Sequence, residues 1–334
     1  MRLGYKVLMI VGLTIALMIP VTMIRGTVQE RQHYRAQAVQ EVERSTAGAQ
    51  VIAGPVLVVP YTDRRTLTFT DSAGVRREEE QVSNGTWIFF PDKLDLTGTL
   101  RPTPRKRGLH EVRLYELDTV VRASFRAAIP RADEPQTRRT IGAPRIGIGL
   151  RDVRGLVGMP TLRVGGTALR LRQGLGYRDE SGLHAMLAPP ATGATLAFDV
   201  LLEASLQGTE ALSIVPIAGR TVVQLESPWP HPQFHGDFLP RPRQNDRDGF
   251  RARGEVSSLA PDAPAQFSAG TRRAEAAAES APIDVVSVSL VDPVNIYSKV
   301  DRATKYAMLF VLLTFVAFFM FEFLKELRIH PIQY

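Results

Sequence analysis

The tightest group of residues with ligand chemistry in this 334-residue chain lies in SPWPHPQFHGDFLPRPR, Ser227 to Arg243. It spaces His231, His235 and Asp237 as H-x3-H-x-D, two imidazoles and a carboxylate of the kind that bind zinc. Two histidines four residues apart converge on one ion when they share a helical face. The five prolines of this segment hold the backbone to extended and turn conformations instead. A fourth ligand is also missing. The pattern predicts a Pro-locked structural loop whose rings, Trp229, Phe234 and Phe238, plug a sheet, and not a metal centre.

The remaining candidates are thinner. His110-Glu111 lacks the second histidine of a zinc-protease helix, and no G-x-S-x-G elbow occurs, so Ser287 and Ser289 read as polar strand positions. Gly147-Ile148-Gly149 misses the third glycine of a dinucleotide fingerprint, and no phosphate loop is present. Arg101 to Arg107, RPTPRKR, reads as a solvated basic turn before it reads as a phosphate site, and it lacks the interleaved aromatics of a nucleic-acid platform. Glu322 reads as an interfacial charge near Lys325 and Arg328. No catalytic, cofactor-binding or metal residue is assigned, and neither a cofactor nor a nucleic-acid partner is expected.

What must position any site is set by two apolar runs. Tyr306 to Leu324, YAMLFVLLTFVAFFMFEFL, is long enough to cross a bilayer as a helix, bracketed by Lys305 and Lys325. Val7 to Ile24 is a second run, interrupted by Pro20, with no small-x-small cleavage site just after it, which predicts an uncleaved signal anchor. Basic residues flank both sides of both runs, so charge counting does not orient them. A central domain of this size translocates largely regardless of flanking charge. The expected layout is a cytoplasmic residue 1–6 start, a span over 7–24, a helical stalk over 25–50, an extracytoplasmic β domain over 51–300, a second span over 305–324 and a cytoplasmic tail over 325–334. In the stalk, Tyr34, Ala38 and Val42 recur at four-residue spacing, and Glu41 is one turn from Arg44.

Between the anchors the texture is that of strands. Val121, Ala123, Phe125, Ala127 and Ile129 alternate with Arg122, Ser124 and Arg126; Leu196 to Leu206 and Val286 to Leu290 alternate likewise. The expected fold is a membrane protein with a mainly β, sandwich-like antiparallel domain between N- and C-terminal transmembrane helices. Asp133 to Arg139 reads as an exposed loop that divides two lobes or decorates one; Gln173 to Gly182 and Pro261 to Ala281 read as further loops or inserts. The chain has no cysteine, which removes disulfides, thiolate metal sites and a cysteine nucleophile. Its net charge of +7 reads as solvated surface, with membrane lipid as the certain neighbour and acidic glycopolymers as compatible ones.

Several segments together resemble the CreD family of bacterial inner-membrane proteins: Glu43 to Tyr61, Gly149 to Gly155 around Asp152 and Arg154, Ser227 to Pro240, and Asp301 to Leu324 closing on HPIQY. The resemblance implies an envelope-integrity protein tied to a two-component stress system and to β-lactam response, with no established catalytic chemistry. It also implies further membrane helices past the equivalent of Tyr334. The partners it implies are envelope components, peptidoglycan or anionic glycans, or the membrane proteins of that two-component system. Three functions are therefore carried forward: a non-enzymatic binding domain, an envelope hydrolase or sugar-modifying enzyme, and a transporter subunit.

Overall fold

The computed structural model describes residues 3–70, 76–108, 110–132, 136–176, 181–236, 239, 243–246, 248–257, 285–290 and 296–325. Asp237, Phe238, the 261–281 stretch and the 326–334 tail lie outside the described residues, as do 177–180. The chain divides into two compact units, Met1–Val39 with Asp292–Tyr334, and Gln40–Val291.

The first unit holds most of helix α1 (Leu3–Ser45) and all of helix α2 (Ile296–Lys325). Both are long and apolar enough to cross a membrane. Helix α2 begins at Ile296, so the stretch 296–300, expected to close the β domain, is helical. Hydroxyls along these helices bond their own backbone, as Thr304 to Val300 O at 2.7 Å and Thr314 to Phe310 O at 2.8 Å, which satisfies them in lipid. Val11, Thr14 and Ile15 of α1 and Leu312, Phe315, Val316 and Phe319 of α2 border an apolar hollow of about 330 Å³.

The second unit is two facing sheets. The strands are β1 (Gln50–Thr70), β2 (Arg76–Phe89), β3 (Lys93–Arg107), β4 (His110–Ala128), β5 (Thr137–Ile141) and β6 (Arg145–Leu150). They continue as β7 (Leu156–Val164), β8 (Thr167–Leu169), β9 (Arg172–Gln173), β10 (Gly182–Met186), β11 (Thr195–Thr209) and β12 (Ala211–Val215). The last are β13 (Arg220–Ser227), β14 (Gln233–Gly236), β15 (Arg243–Asp246), β16 (Gly249–Ser257) and β17 (Val286–Ser289). A nine-stranded sheet runs β14-β17-β12-β1-β6-β10-β9, with β2 and β5 also on β1, and an eight-stranded sheet runs β15-β16-β13-β3-β4-β11-β7-β8.

The alternating positions read from the sequence are the ones buried between these sheets. Val121, Ala123, Phe125, Ala127 and Ile129 meet Ile52, Leu57, Val59, Ile146 and Ile148 from the opposite sheet in one cluster. Residues before and after 133–139 contribute to this same cluster. Strand β1 departs from simple alternation because both its faces are covered. Leu57 and Val59 enter the main core, while Val56 and Val58 join Val215 and Ile217 in a second cluster. A continuous apolar run is what such a doubly buried strand requires.

Four local expectations are corrected. The ladders are antiparallel except β1 with β12 and β3 with β13, which are parallel. Consecutive strands β12 and β13 thus insert one into each sheet, a long-range pairing that alternation cannot reveal. RPTPRKR is no turn: it is the second half of β3, zipped to β4 as far as Arg107 opposite His110. Glu41 pairs with Arg107 at 3.0 Å rather than with Arg44. And 137–139 is strand, not loop, because β5 adds to β1 at Tyr61–Arg65. There Arg139 grips both carboxylate oxygens of Asp63 at 2.7 Å and lies 4.8 Å from the Tyr61 ring and 5.0 Å from Trp87. Its side chain is only 8% exposed.

The helical stalk ends at Ser45, and β1 starts at Gln50. Arg154, in the short 3₁₀ turn Val153–Gly155, donates to the last-turn carbonyls of Glu43 (3.4 Å) and Arg44 (3.2 Å) while its guanidinium is held by Asp152. These are the carbonyls a helix end leaves unpaired, at the negative pole of its dipole. Below them Gln50, 1% exposed, donates to Asp152 O (2.9 Å) and Gln207 O (3.1 Å) and accepts from Asp152 N (3.3 Å). A Cβ on Gly155 would lie 2.4 Å from the Gln50 amide nitrogen, so only glycine fits there. Tyr115, 1% exposed, donates to Ala211 O at 2.8 Å beside Gly208; burial raises its pKa.

Gln50→Leu keeps the volume but strips three buried backbone groups of a partner. It is expected to cost about 2–4 kcal/mol, read as a lower denaturation midpoint of the purified protein; an unchanged midpoint would show the junction to be unimportant.

Candidate functional site

A groove of about 950 Å³ lies on the outer face of the eight-stranded sheet. Its floor follows from strand alternation: on β3, β4, β11 and β13 the residues that do not enter the core point outward. Register lines them up into two rows across the strands. One reads Arg253, Gln224, Thr97, Val120, Glu203, Thr161. The other reads Gln244, Arg251, Glu226, Thr99, Asp118, Ser205, Val157.

Within the rows, hydroxyls are paired to carboxylates. Thr99 donates to Glu226 at 2.9 Å and Thr161 to Glu203 at 3.1 Å, and Ser205 donates to Asp118. Asp118 is held well below the usual carboxylate range by the Ser205 hydroxyl first and then by the Arg101 guanidinium. At one wall Arg251 reaches Glu226 only at 3.8 Å and Arg253 reaches Glu255 only at 4.0 Å. At the other wall the β7–β11 register shifts between Glu203 and Ser205, where Thr161 and Val157 are their partners. The extra β7 residues bulge outward, with Gly158 at φ +73° and Met159 93% exposed. Bulges beside a site re-aim side chains in this way. Among the described residues no aromatic ring lines the groove.

The candidates of the sequence fall elsewhere. His231 and His235 are both exposed; His235 is in β14, opposite Ser287. Asp237 lies outside the described residues, and no cluster of three metal-ligating side chains occurs among those described. Trp229 and Phe234 pack against the main core, the Trp229 ring under Arg113 at 3.7 Å. His110 closes the β3–β4 ladder, and Glu111 accepts from Arg113 at 3.2 Å. Gly147 and Gly149 lie in β6 against Val56 and Ala53 of β1, where packing explains them. Ser287 bonds Ser213 at 3.0 Å across a ladder. Glu322 is in the last turn of α2. The groove residues escaped the sequence reading because they are brought together only by register; the polar alternates of the long strands, such as Glu203 and Ser205 against Leu202 and Leu206, were the one signal.

Two apolar helices flanking a two-sheet β unit define a membrane-anchored β protein. The chain matches the profile of the family described as "Inner membrane protein CreD" over residues 2–334. It is 32% identical over 334 residues to "Inner membrane protein CreD" of Escherichia coli (strain K12), covering 99% of this chain and 71% of that one. The chain belongs to the CreD family of inner membrane proteins. Among solved structures, an M1 zinc metallopeptidase mutant from Deinococcus radiodurans aligns at a TM-score of 0.28 and 12% identity, over 60% of this chain and 42% of that one. The same enzyme bound to a Tyr-Ser-Ala substrate aligns at 0.29 over the same shares. At that level the alignments carry no argument about this chain.

Among the described residues, four carboxylates have lowered pKa values: Asp63 through Arg139, Asp118 through Ser205 and Arg101, Asp152 through Arg154, and Glu255 through Arg220. A carboxylate whose folded pKa is depressed stabilises the fold above its unfolded value, about 4, and loses that contribution as pH falls through the folded value. Unfolding of the purified protein, followed by the fluorescence of Trp87 and Trp229, is expected to show constant stability from about pH 7 to 5 and a decline below about pH 4. Asp63→Asn should flatten that acid limb and lower the plateau; a limb unaltered in the variant would contradict the assignment.

Proposed function

We propose that the β unit lies outside the cytoplasm and is a non-enzymatic binding domain, using the groove on the eight-stranded sheet to engage a component of the cell envelope and so to support envelope integrity under stress. The observation that carries this reading is the pair of polar rows, which present acceptors and donors across a concave surface while the opposite face of the same strands is sealed in the core. Supporting it are membership of an inner-membrane family and the two apolar helices. Both chain ends are then cytoplasmic, with the Gln40–Val291 unit on the far side of the membrane.

A hydrolase is less well supported. Two-carboxylate glycoside hydrolysis, for one, uses a carboxyl held protonated near neutral pH. Asp118, at the centre of the floor, is shifted the opposite way.

Filling the groove tests the reading. Thr97→Trp and Glu203→Trp place bulk on the floor at outward positions that do not touch the core. In a strain lacking the gene, both variants are expected to insert and fold but to fail in restoring resistance to β-lactam or detergent challenge. Full protection by a groove-filled variant would overturn the assignment. Protease added to spheroplasts should cleave the β unit; its protection would overturn the orientation.

A further inference from the structure

The chemistry of the groove names a class of ligand, and this step rests on the binding role proposed above. The floor offers fixed acceptors, Glu203, Glu226 and Asp118, each already oriented by a neighbouring hydroxyl. Oriented carboxylates on a concave sheet suit a ligand rich in hydroxyl and amide donors. Neighbouring strands repeat every ~4.8 Å, close to the rise of one sugar unit in an extended β-linked chain. A row of polar groups running across the strands therefore meets such a polymer in step, one strand to one sugar. A peptide strand does not match it: its backbone groups seek a sheet edge, not a face.

The two walls sharpen the choice. Arg251 and Arg253 stand side by side in register along β16, and their carboxylate neighbours are at 3.8 and 4.0 Å, too far for tight bidentate pairing. They are exposed enough to turn toward an incoming anion, with side chains 80% and 51% accessible. At the other wall Val157 and Met159 form an apolar lip. That lip fits a small apolar substituent such as an acetamido methyl group, and the thioether adapts to irregular surfaces. We propose that the groove binds an extended, β-linked amino-sugar chain bearing carboxylates, laid across the strands with an acidic unit at Arg251 and Arg253, at one end of the rows, and an acetamido-bearing unit at Val157 and Met159, at the other.

The test uses the full chain purified in detergent and four probes. These are a β-linked hexasaccharide alternating N-acetylhexosamine and uronic acid, its carboxyl-reduced neutral counterpart, the corresponding disaccharide, and an acidic peptide of equal charge. The acidic hexasaccharide is expected to bind best and the disaccharide worst. Arg251→Gln with Arg253→Gln should weaken the acidic hexasaccharide roughly tenfold or more, the effect of losing charge-assisted hydrogen bonds, and leave the neutral one unchanged. Trp fluorescence reports that the double variant is folded. Equal binding of the peptide, indifference to the double variant, or no binding of any oligosaccharide would each overturn the glycan assignment. The binding role itself would survive these results if the groove-filled variants still failed to protect cells, and would fall with them if those variants protected fully.

Discussion

The junction around Gln50 is the constraint on which the rest of the β unit depends. One buried amide ties the start of β1 to the 3₁₀ turn before β7 and to β11, joining the nine-stranded sheet to the eight-stranded one. Arg154, fixed by Asp152 from the same turn, closes the carbonyl end of α1 just above it. The Ala47–Gly48 link between helix and strand is in turn held by Thr209, whose hydroxyl donates to Ala47 O at 2.6 Å. A helix end, two sheets and a turn therefore share one set of hydrogen bonds, of which those of the buried Gln50 and Thr209 cannot be lost without leaving a buried polar group unpaired. Two of the stretches that resemble the family, Glu43 to Tyr61 and Gly149 to Gly155, contribute Gln50, Asp152 and Arg154 to these bonds.

The same economy shapes the groove. A sheet with one face sealed must show its polar alternates on the other. On the eight-stranded sheet those alternates are hydroxyls, amides and carboxylates, and three hydroxyl–carboxylate pairs bond across the strands, so those carboxylates are oriented before any ligand arrives. The β7 bulge and the paired arginines of β16 then give the two walls opposite character. Binding to such a surface would lose little side-chain freedom, the cost that most often weakens polar recognition.

Much of this architecture was legible in the sequence. Length and apolarity marked the two helices, and period-two alternation marked β4, β11 and β17 with their buried faces. What was not legible depends on partners far apart in the chain. The parallel insertion of β12 beside β1 and β13 beside β3 leaves no local trace, and neither does the grip of Arg139 on Asp63, which turns an apparent loop into strand β5. RPTPRKR reads as a turn because of its prolines, yet Pro102 and Pro104 are accommodated in β3 opposite Tyr115 and Arg113. The groove was hidden for the same reason: Thr97, Asp118, Glu203 and Gln224 meet only once register is known.

The central claim is that the groove is occupied in the living envelope, and the absence of cysteine from the chain allows it to be measured directly. Single cysteines can be placed by Thr161→Cys, inside the groove, and by Arg126→Cys, exposed on β4 of the same sheet but away from the groove lining. The rate of maleimide labelling at each is compared between cells with a permeabilised outer membrane and the purified protein. Occupancy predicts labelling at 161 several-fold slower in the envelope than in the purified protein, with 126 alike in both. Equal rates at 161 in the two settings would contradict it.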